Sequence, residues 1–270
     1  MKANKLEAIF IDTKNIYSDH EILKEAINHT IDNTLLYDEV ANIPYVPTQK
    51  EGLIEVSKER SFECARRLIK EYPNKKVAVL NFASAINPGG GVEFGAKAQE
   101  ECLCRTSTLY PALSTKYLWD NYYGANRAMY NPLHNDMCIY TPDIIVFKDD
   151  ITYPTLLDEK DWYKVDIISS AAPDLYNYLK EDYAGEDIDL YNIHLKRGRR
   201  IIEVALHNKV DILVLGAFGC GAFANDPYIV SKAYKELMKE YNQYFTEIAF
   251  AIYTQEYDTS NYDAFMKELL

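Results

Sequence analysis

Short apolar runs alternate with helical patterns over most of this chain, and that alternation restricts it to a layered α/β fold. The runs at 77–82, 165–169, 211–215 and 248–253 are rich in β-forming residues and read as buried strands. The runs 137–140 and 144–147 read as two short strands around Thr141-Pro142. Helical patterns fill the intervals at about 58–71, 96–109, 174–182, 188–208, 227–241 and 261–270, the first with Ser57 as its N-cap. Residues 113–130 are helix or aromatic-rich loop, and 52–56 is a further short strand. Such a pattern predicts a mixed or mainly parallel sheet with helices on both faces. Residues 1–50 read as mostly helical, with Ile22, Leu23, Ala26, Ile27 and Ile31 at helical spacing until Pro44 and Pro47 break the pattern. With no Gly/Ser/Pro-rich linker and no repeat, the expected organisation is a helical N-terminal extension at 1–50 and one α/β domain at 51–270.

Composition narrows the functional classes. A formal charge of −12 disfavours a protein that wraps nucleic acid, because phosphate contacts need clustered Lys and Arg. The one basic run, Lys196 to Arg200, sits in a helical pattern and reads as a solvated face. Five cysteines without paired CxxC spacing argue against zinc and against a disulfide scaffold, and suit a reduced, cytoplasmic protein. The first residues do not read as a signal peptide, and no apolar stretch approaches the ~20 residues that span a bilayer. The 23 tyrosines, spread along the chain, read as amphipathic packing residues.

Two glycine loops carry the chemical signal. Gly89-Gly90-Gly91 follows the 77–82 strand, and its N–H groups can point into one concavity and cradle an anion. The bland alternative is a flexible turn. The second loop, 216–225, follows another strand and precedes a helix with Pro227 at its first turn. Its G-x-x-G-x-G order is not the G-x-G-x-x-G of dinucleotide-binding folds, so a Rossmann dehydrogenase is a poor fit. Both loops lie at carboxyl ends of strands, where ligands bind in open α/β sheets, and together they suit two linked phosphates. Gln99, Glu100 and Glu101 follow the first loop after seven residues. Acidic residues in a first helical turn often only complement the helix dipole. A bound diphosphate and a like-charged neighbour would instead raise a carboxyl pKa toward that of a general acid.

Triple glycine, seven residues, then QEE resembles the signature of poly(ADP-ribose) glycohydrolases. The segments NFASAINPGGG, AQEECLCRTSTLY, IYTPDIIVFKDD, SSAAPDLY and GAFGCGAFANDP are similar to the bacterial type of that family, over about 50–255. The resemblance implies a three-layer α/β/α, macrodomain-like mixed sheet that binds ADP-ribose. It implies hydrolysis of the ribose–ribose O-glycosidic bond, mainly from the chain end, without metal or cofactor. Glu101 would be the acid and Glu100 would hold the ribose hydroxyls. Gly89, Gly90 and Gly91 would contact the diphosphate, and Gly219, Cys220, Gly221 and Ala222 would close over its other side. Phe223 would stack on the terminal ribose, while Asn81, Asn87, Val92 and Gln99 complete the implied ADP-ribose set. The implied partner is poly(ADP-ribose) or an ADP-ribosylated protein, met by a monomer without membrane or sequence-specific nucleic acid.

Two other classes stay open: a non-catalytic ADP-ribose-binding macrodomain, and a hydrolase of mono-ADP-ribosyl or O-acyl-ADP-ribose esters. The glutamate pair argues against the first, and nothing in the sequence excludes the second. His134, His194 and His207 lack a local partner pattern and read as surface or packing residues. Cys220 has no base beside it in sequence and reads as a small residue, not a nucleophile.

Overall fold

In the computed structural model, which describes residues 4–38, 42–45, 52–179 and 188–270, the chain opens with α1 (Lys5–Asp19), α2 (Glu21–Asn33) and β1 (Leu35–Tyr37). Next come β2 (Leu53–Ser57), α3 (Ser61–Glu71), β3 (Val77–Phe82) and α4 (Gln99–Thr106). The short helices α5 (Leu109–Leu113), α6 (Lys116–Leu118) and α7 (Gly124–Met129) follow, the last two joined by a π-helical turn at Trp119–Tyr123. β4 (Cys138–Val146), β5 (Tyr163–Ser170), α8 (Leu175–Tyr178) and α9 (Leu190–His207) continue the chain. It ends with β6 (Ile212–Leu215), α10 (Pro227–Tyr241), β7 (Glu247–Ala251) and α11 (Ser260–Leu269).

Among the described residues, seven strands form one sheet in the order β1-β4-β5-β3-β6-β7-β2. β4 runs antiparallel to both β1 and β5, and every other pair is parallel. Successive side chains of a strand point to opposite faces, and β3 shows the result. Ala78 and Leu80 pack with Ile201, Tyr234, Leu237 and Phe265 from α9, α10 and α11. Val77 and Val79 pack with Phe62, Leu68 and Leu103 from α3 and α4. Both faces are covered, which is the three-layer arrangement expected of such strands.

Several boundaries differ from the sequence reading, each for a tertiary reason. Residues 35–37, expected within a helical region, pair with β4 and extend the sheet edge. Ser57 ends β2; α3 starts at Ser61, where Asp150 Oδ2 accepts the Phe62 N–H at 3.1 Å. The runs 137–140 and 144–147 belong to one strand with a register shift between Thr141 and Ile144. Pro142 is tolerated there because β1 pairs only as far as Tyr140, so no neighbour asks for its missing N–H. The helix expected over 96–109 is shorter, since Ser107 leaves α4 to bridge Val146. Pro47, the proposed boundary near residue 50, and the end of the 174–182 helix lie outside the described residues.

Candidate active site

The carboxyl ends of β5, β3, β6 and β7 open into one cavity of about 770 Å³. Gly90, Gly91, Glu100 and Glu101 line it from one side, and Gly219, Gly221, Ala222 and Phe223 from the other. The two glycine loops do face the same space.

Placement of the acids begins with Gln99. Its Oε1 accepts the Phe82 N–H at 2.9 Å, and its Nε2 donates to Leu80 O at 2.8 Å and Ser61 Oγ at 3.0 Å. Every polar group of that amide is engaged, so Gln99 fastens α4 to β3 although it borders the cavity. Arg105, almost fully buried, closes the loop from behind by donating to Ala96 O at 2.6 Å.

Glu100 is 3% exposed. Its Oε2 accepts the Ser84 N–H at 2.8 Å, and its Oε1 accepts from Asn81 Nδ2 at 3.3 Å. Burial, opposed by the Ser84 N–H and reinforced by the charge of Glu101, pushes the Glu100 carboxyl up to about 8. Asn81 lies wholly beneath the cavity and steadies Glu100, with its Nδ2 also 3.0 Å from Ser169 Oγ. Glu101 is held differently. Its Oε1 accepts the Gly91 N–H at 2.9 Å, while its Oε2 has no hydrogen-bond partner.

The first glycine loop thus turns its N–H groups inward. The Gly91 N–H goes to Glu101, the Gly89 N–H acts on Glu100, and the Gly90 N–H bonds Asn87 O at 3.0 Å. The Gly91 N–H is thus engaged by a carboxylate, while Gly90 and Gly91, for which the sequence resemblance implies a diphosphate contact, border the cavity. Gly89 is turned toward the Tyr110 ring and Val92 is packed in the core, so neither borders the cavity. Asn87 does border it, with its Oδ1 taken by Arg127 Nη2 at 2.7 Å.

The second loop keeps its donors free. Among the described residues, no hydrogen bond uses the N–H of Gly219, Gly221, Ala222 or Phe223. Gly219 has φ +81°, and a Cβ there would come within 2.7 Å of the Ala172 Cβ. Asn225 holds the loop, donating through Nδ2 to Pro173 O at 2.7 Å and Phe223 O at 3.1 Å. His194 Nε2 lies 2.6 Å from Asn225 Oδ1. Cys220 points away from the cavity, and burial pushes its thiol up, as expected for an inert side chain.

Other residues escaped the sequence reading. Of the two readings of His194, surface or packing, the structure bears out the second: it is fully buried, and burial pulls its imidazole down to about 4. His134 lines the cavity with left-handed backbone at φ +57°, its ring 6.2 Å from that of Phe223. Arg197, read as part of a solvated basic face, is 2% exposed; it pairs with Asp136 at 3.0 Å and donates to Ala171 O and Leu133 O. It thereby supports the wall that carries His134. At the β7 end of the cavity, the Arg60 guanidinium lies 4.0 Å from the Tyr253 ring centroid. Among the described residues, no group of three or more His, Cys, Asp and Glu side chains is placed to hold a metal ion, and no helix is long and apolar enough to cross a membrane.

A mixed α/β sheet with a buried carboxyl pair and a loop of free N–H groups facing one cavity at its strand ends defines an α/β protein with acid groups set beside potential donors to an anion. Comparison with known proteins narrows this class. The family described as the microbial-type PARG catalytic domain matches residues 7–149, just over half the chain. The chain is similar to poly(ADP-ribose) glycohydrolase from Deinococcus radiodurans, solved in complex with ADP-ribose. Identity is 31%, coverage is 90% of this chain and 96% of that one, and the TM-score is 0.79. The Thermomonospora curvata enzyme, bound to the inhibitor ADP-HPD, is 29% identical over 97% of this chain and 98% of its own, with a TM-score of 0.83. No curated protein sequence matches the chain significantly. The chain belongs to the microbial-type poly(ADP-ribose) glycohydrolase family.

Proposed function

We propose the following chemistry for this poly(ADP-ribose) glycohydrolase. The terminal ADP-ribose of the polymer lies along the cavity, with its diphosphate on the free N–H groups of Gly219, Gly221, Ala222 and Phe223. Its adenine occupies the end formed by Arg60 and Tyr253, where a cation already lies over an aromatic ring. Its distal ribose rests between Phe223 and the glutamates.

Glu101 gives a proton to the departing 2′-oxygen as the glycosidic bond breaks. The oxocarbenium-like ribose is then attacked by water, whose proton returns to Glu101. Glu100 holds the ribose hydroxyls. Ordinary glycosidases place carboxyls on opposite sides of the bond, which adjacent residues of one helix cannot do, so a single residue serves as acid and then as base. General acid catalysis supplies roughly 10²–10⁴-fold. Positioning by the two loops supplies much of the remainder. The observation that carries this assignment is the contrast within the pair: both Glu100 oxygens are held, whereas Glu101 Oε2 has no partner.

Chain-end action fits a cavity of this size, which matches one ligand of nucleotide dimensions. The five cysteines are all free, which suits the cytoplasm. The test is release of free ADP-ribose from poly(ADP-ribose) by the wild type and by Glu101→Gln. We expect the variant to lose turnover and keep its affinity for ADP-ribose. Equal activity would remove Glu101 from the acid role, and tight binding without any release by the wild type would make the protein a reader.

A further inference from the structure

One cation at the cavity mouth has no part in the chemistry above. Arg127, on α7, is exposed, and its Nη2 donates to Asn87 Oδ1 at 2.7 Å. Its guanidinium lies 4.6 Å from the centroid of the Trp119 ring, and Trp119 lines the cavity. Among the described residues, no carboxylate pairs with it. Arg199, a half-buried surface cation outside the cavity lining, is by contrast paired with Glu240 at 2.8 Å.

A short relay of contacts links Arg127 to the loop that holds the acid. Glu101 Oε1 accepts from Gly91 N at 2.9 Å, the neighbouring Gly90 N donates to Asn87 O at 3.0 Å, and Asn87 carries Arg127. The guanidinium is therefore on the rim formed by the first glycine loop, while Arg60 and Tyr253 line the β7 end of the cavity. The bond cut at Glu101 joins the ribose inside the cavity to the 2′-oxygen of the next unit's adenosine. That next unit begins where the enclosed cavity ends, and it carries a diphosphate on its 5′ side. A guanidinium stacked on an indole with one N–H fixed keeps its remaining donors in a preset fork, the geometry that suits phosphate oxygens. On a chain of formal charge −12, an uncompensated cation at the mouth also offsets repulsion of a polyanion.

From this geometry, and resting on the glycohydrolase chemistry given above, we infer that Arg127 and Trp119 form a subsite for the diphosphate of the departing unit of the polymer. The subsite is engaged by substrate and vacated by product: free ADP-ribose, held between the second loop and Tyr253, does not reach it.

The experiment compares wild type, Arg127→Ala, Arg127→Lys and the control Arg199→Ala on poly(ADP-ribose), with ADP-ribose affinity measured by calorimetry. Arg127→Ala should raise KM for the polymer about tenfold, the order of one lost charge-assisted hydrogen bond, with kcat and ADP-ribose affinity held. Arg127→Lys should recover part of the loss, and Arg199→Ala should match wild type. An unchanged KM in Arg127→Ala overturns the inference. So does a fall in kcat, or an equal loss of ADP-ribose affinity, because either makes Arg127 a brace for Asn87. If the wild type releases no ADP-ribose, the glycohydrolase chemistry falls and the subsite with it. Release with an indifferent Arg127 removes the subsite alone.

Discussion

A Cβ on Gly90 would stand 2.5 Å from Glu101 Oε1, closer than a side-chain carbon can approach. Gly90 also has φ +58°, a left-handed backbone that costs an L-residue about 1–2 kcal/mol. The residue is therefore required twice, by backbone and by the acid. Gly90→Ala should lose stability of that order and displace the Glu101 carboxylate. Since a misplacement of about 1 Å can cost ~10²-fold in rate, turnover should fall far more than ADP-ribose affinity. Steady-state release assays beside calorimetry check this, and wild-type turnover in Gly90→Ala would contradict it.

Glu100 makes stability depend on pH in a predictable direction. Its carboxyl is raised from 4.5 to about 8, so the folded chain keeps a proton that the unfolded chain releases between those values. The associated stability is fully present below about pH 4.5 and is lost as pH rises through about 8. Asp150 and Glu247, raised to about 6 and about 7, act in the same sense over narrower windows. Glu100→Gln removes only the Glu100 component. Thermal melts from pH 5 to 9 should therefore fall less steeply in the variant, and parallel curves would refute the assignment.

The second loop depends on Asn225 for its shape. Asn225→Ala removes the bonds to Pro173 O and Phe223 O and leaves His194 Nε2 without its partner. ADP-ribose binding should weaken by about tenfold, as expected when buried hydrogen bonds that order a binding loop are lost. His194→Leu should follow the same trend, with His194→Gln intermediate because an amide can still donate. Calorimetric titration of the three variants decides; wild-type affinity in Asn225→Ala would show that the loop holds itself.

The layered fold and the two loops were legible because each rests on local signals: apolar periodicity in β3, β5, β6 and β7, and the Asp226-Pro227 start of α10, where Asp226 accepts from Tyr228 N and Ile229 N. What failed to show were features decided by distant partners. β1 is three residues long and exists through its pairing with β4. Arg197 is buried because Asp136, remote in sequence, neutralises it. The first glycine loop is compatible in sequence with outward or inward N–H groups, and only its folded path turns the Gly91 N–H to Glu101 and the Gly90 N–H to Asn87 O. His134 carries no sequence mark, as its place in the cavity wall follows from a left-handed backbone in a loop without glycine.

The Gln99 amide joins the strand that enters the first glycine loop to the helix that leaves it, making residues 83–98 a ring closed at its base. The acids are thereby referenced to the sheet and not to the path of the intervening chain. Changes of length in the outer part of that ring, around the exposed Phe94, can remodel the mouth of the cavity while the spacing of Glu100 and Glu101 from β3 stays fixed. The fold separates the part of the site that must hold still from the part that is free to diversify.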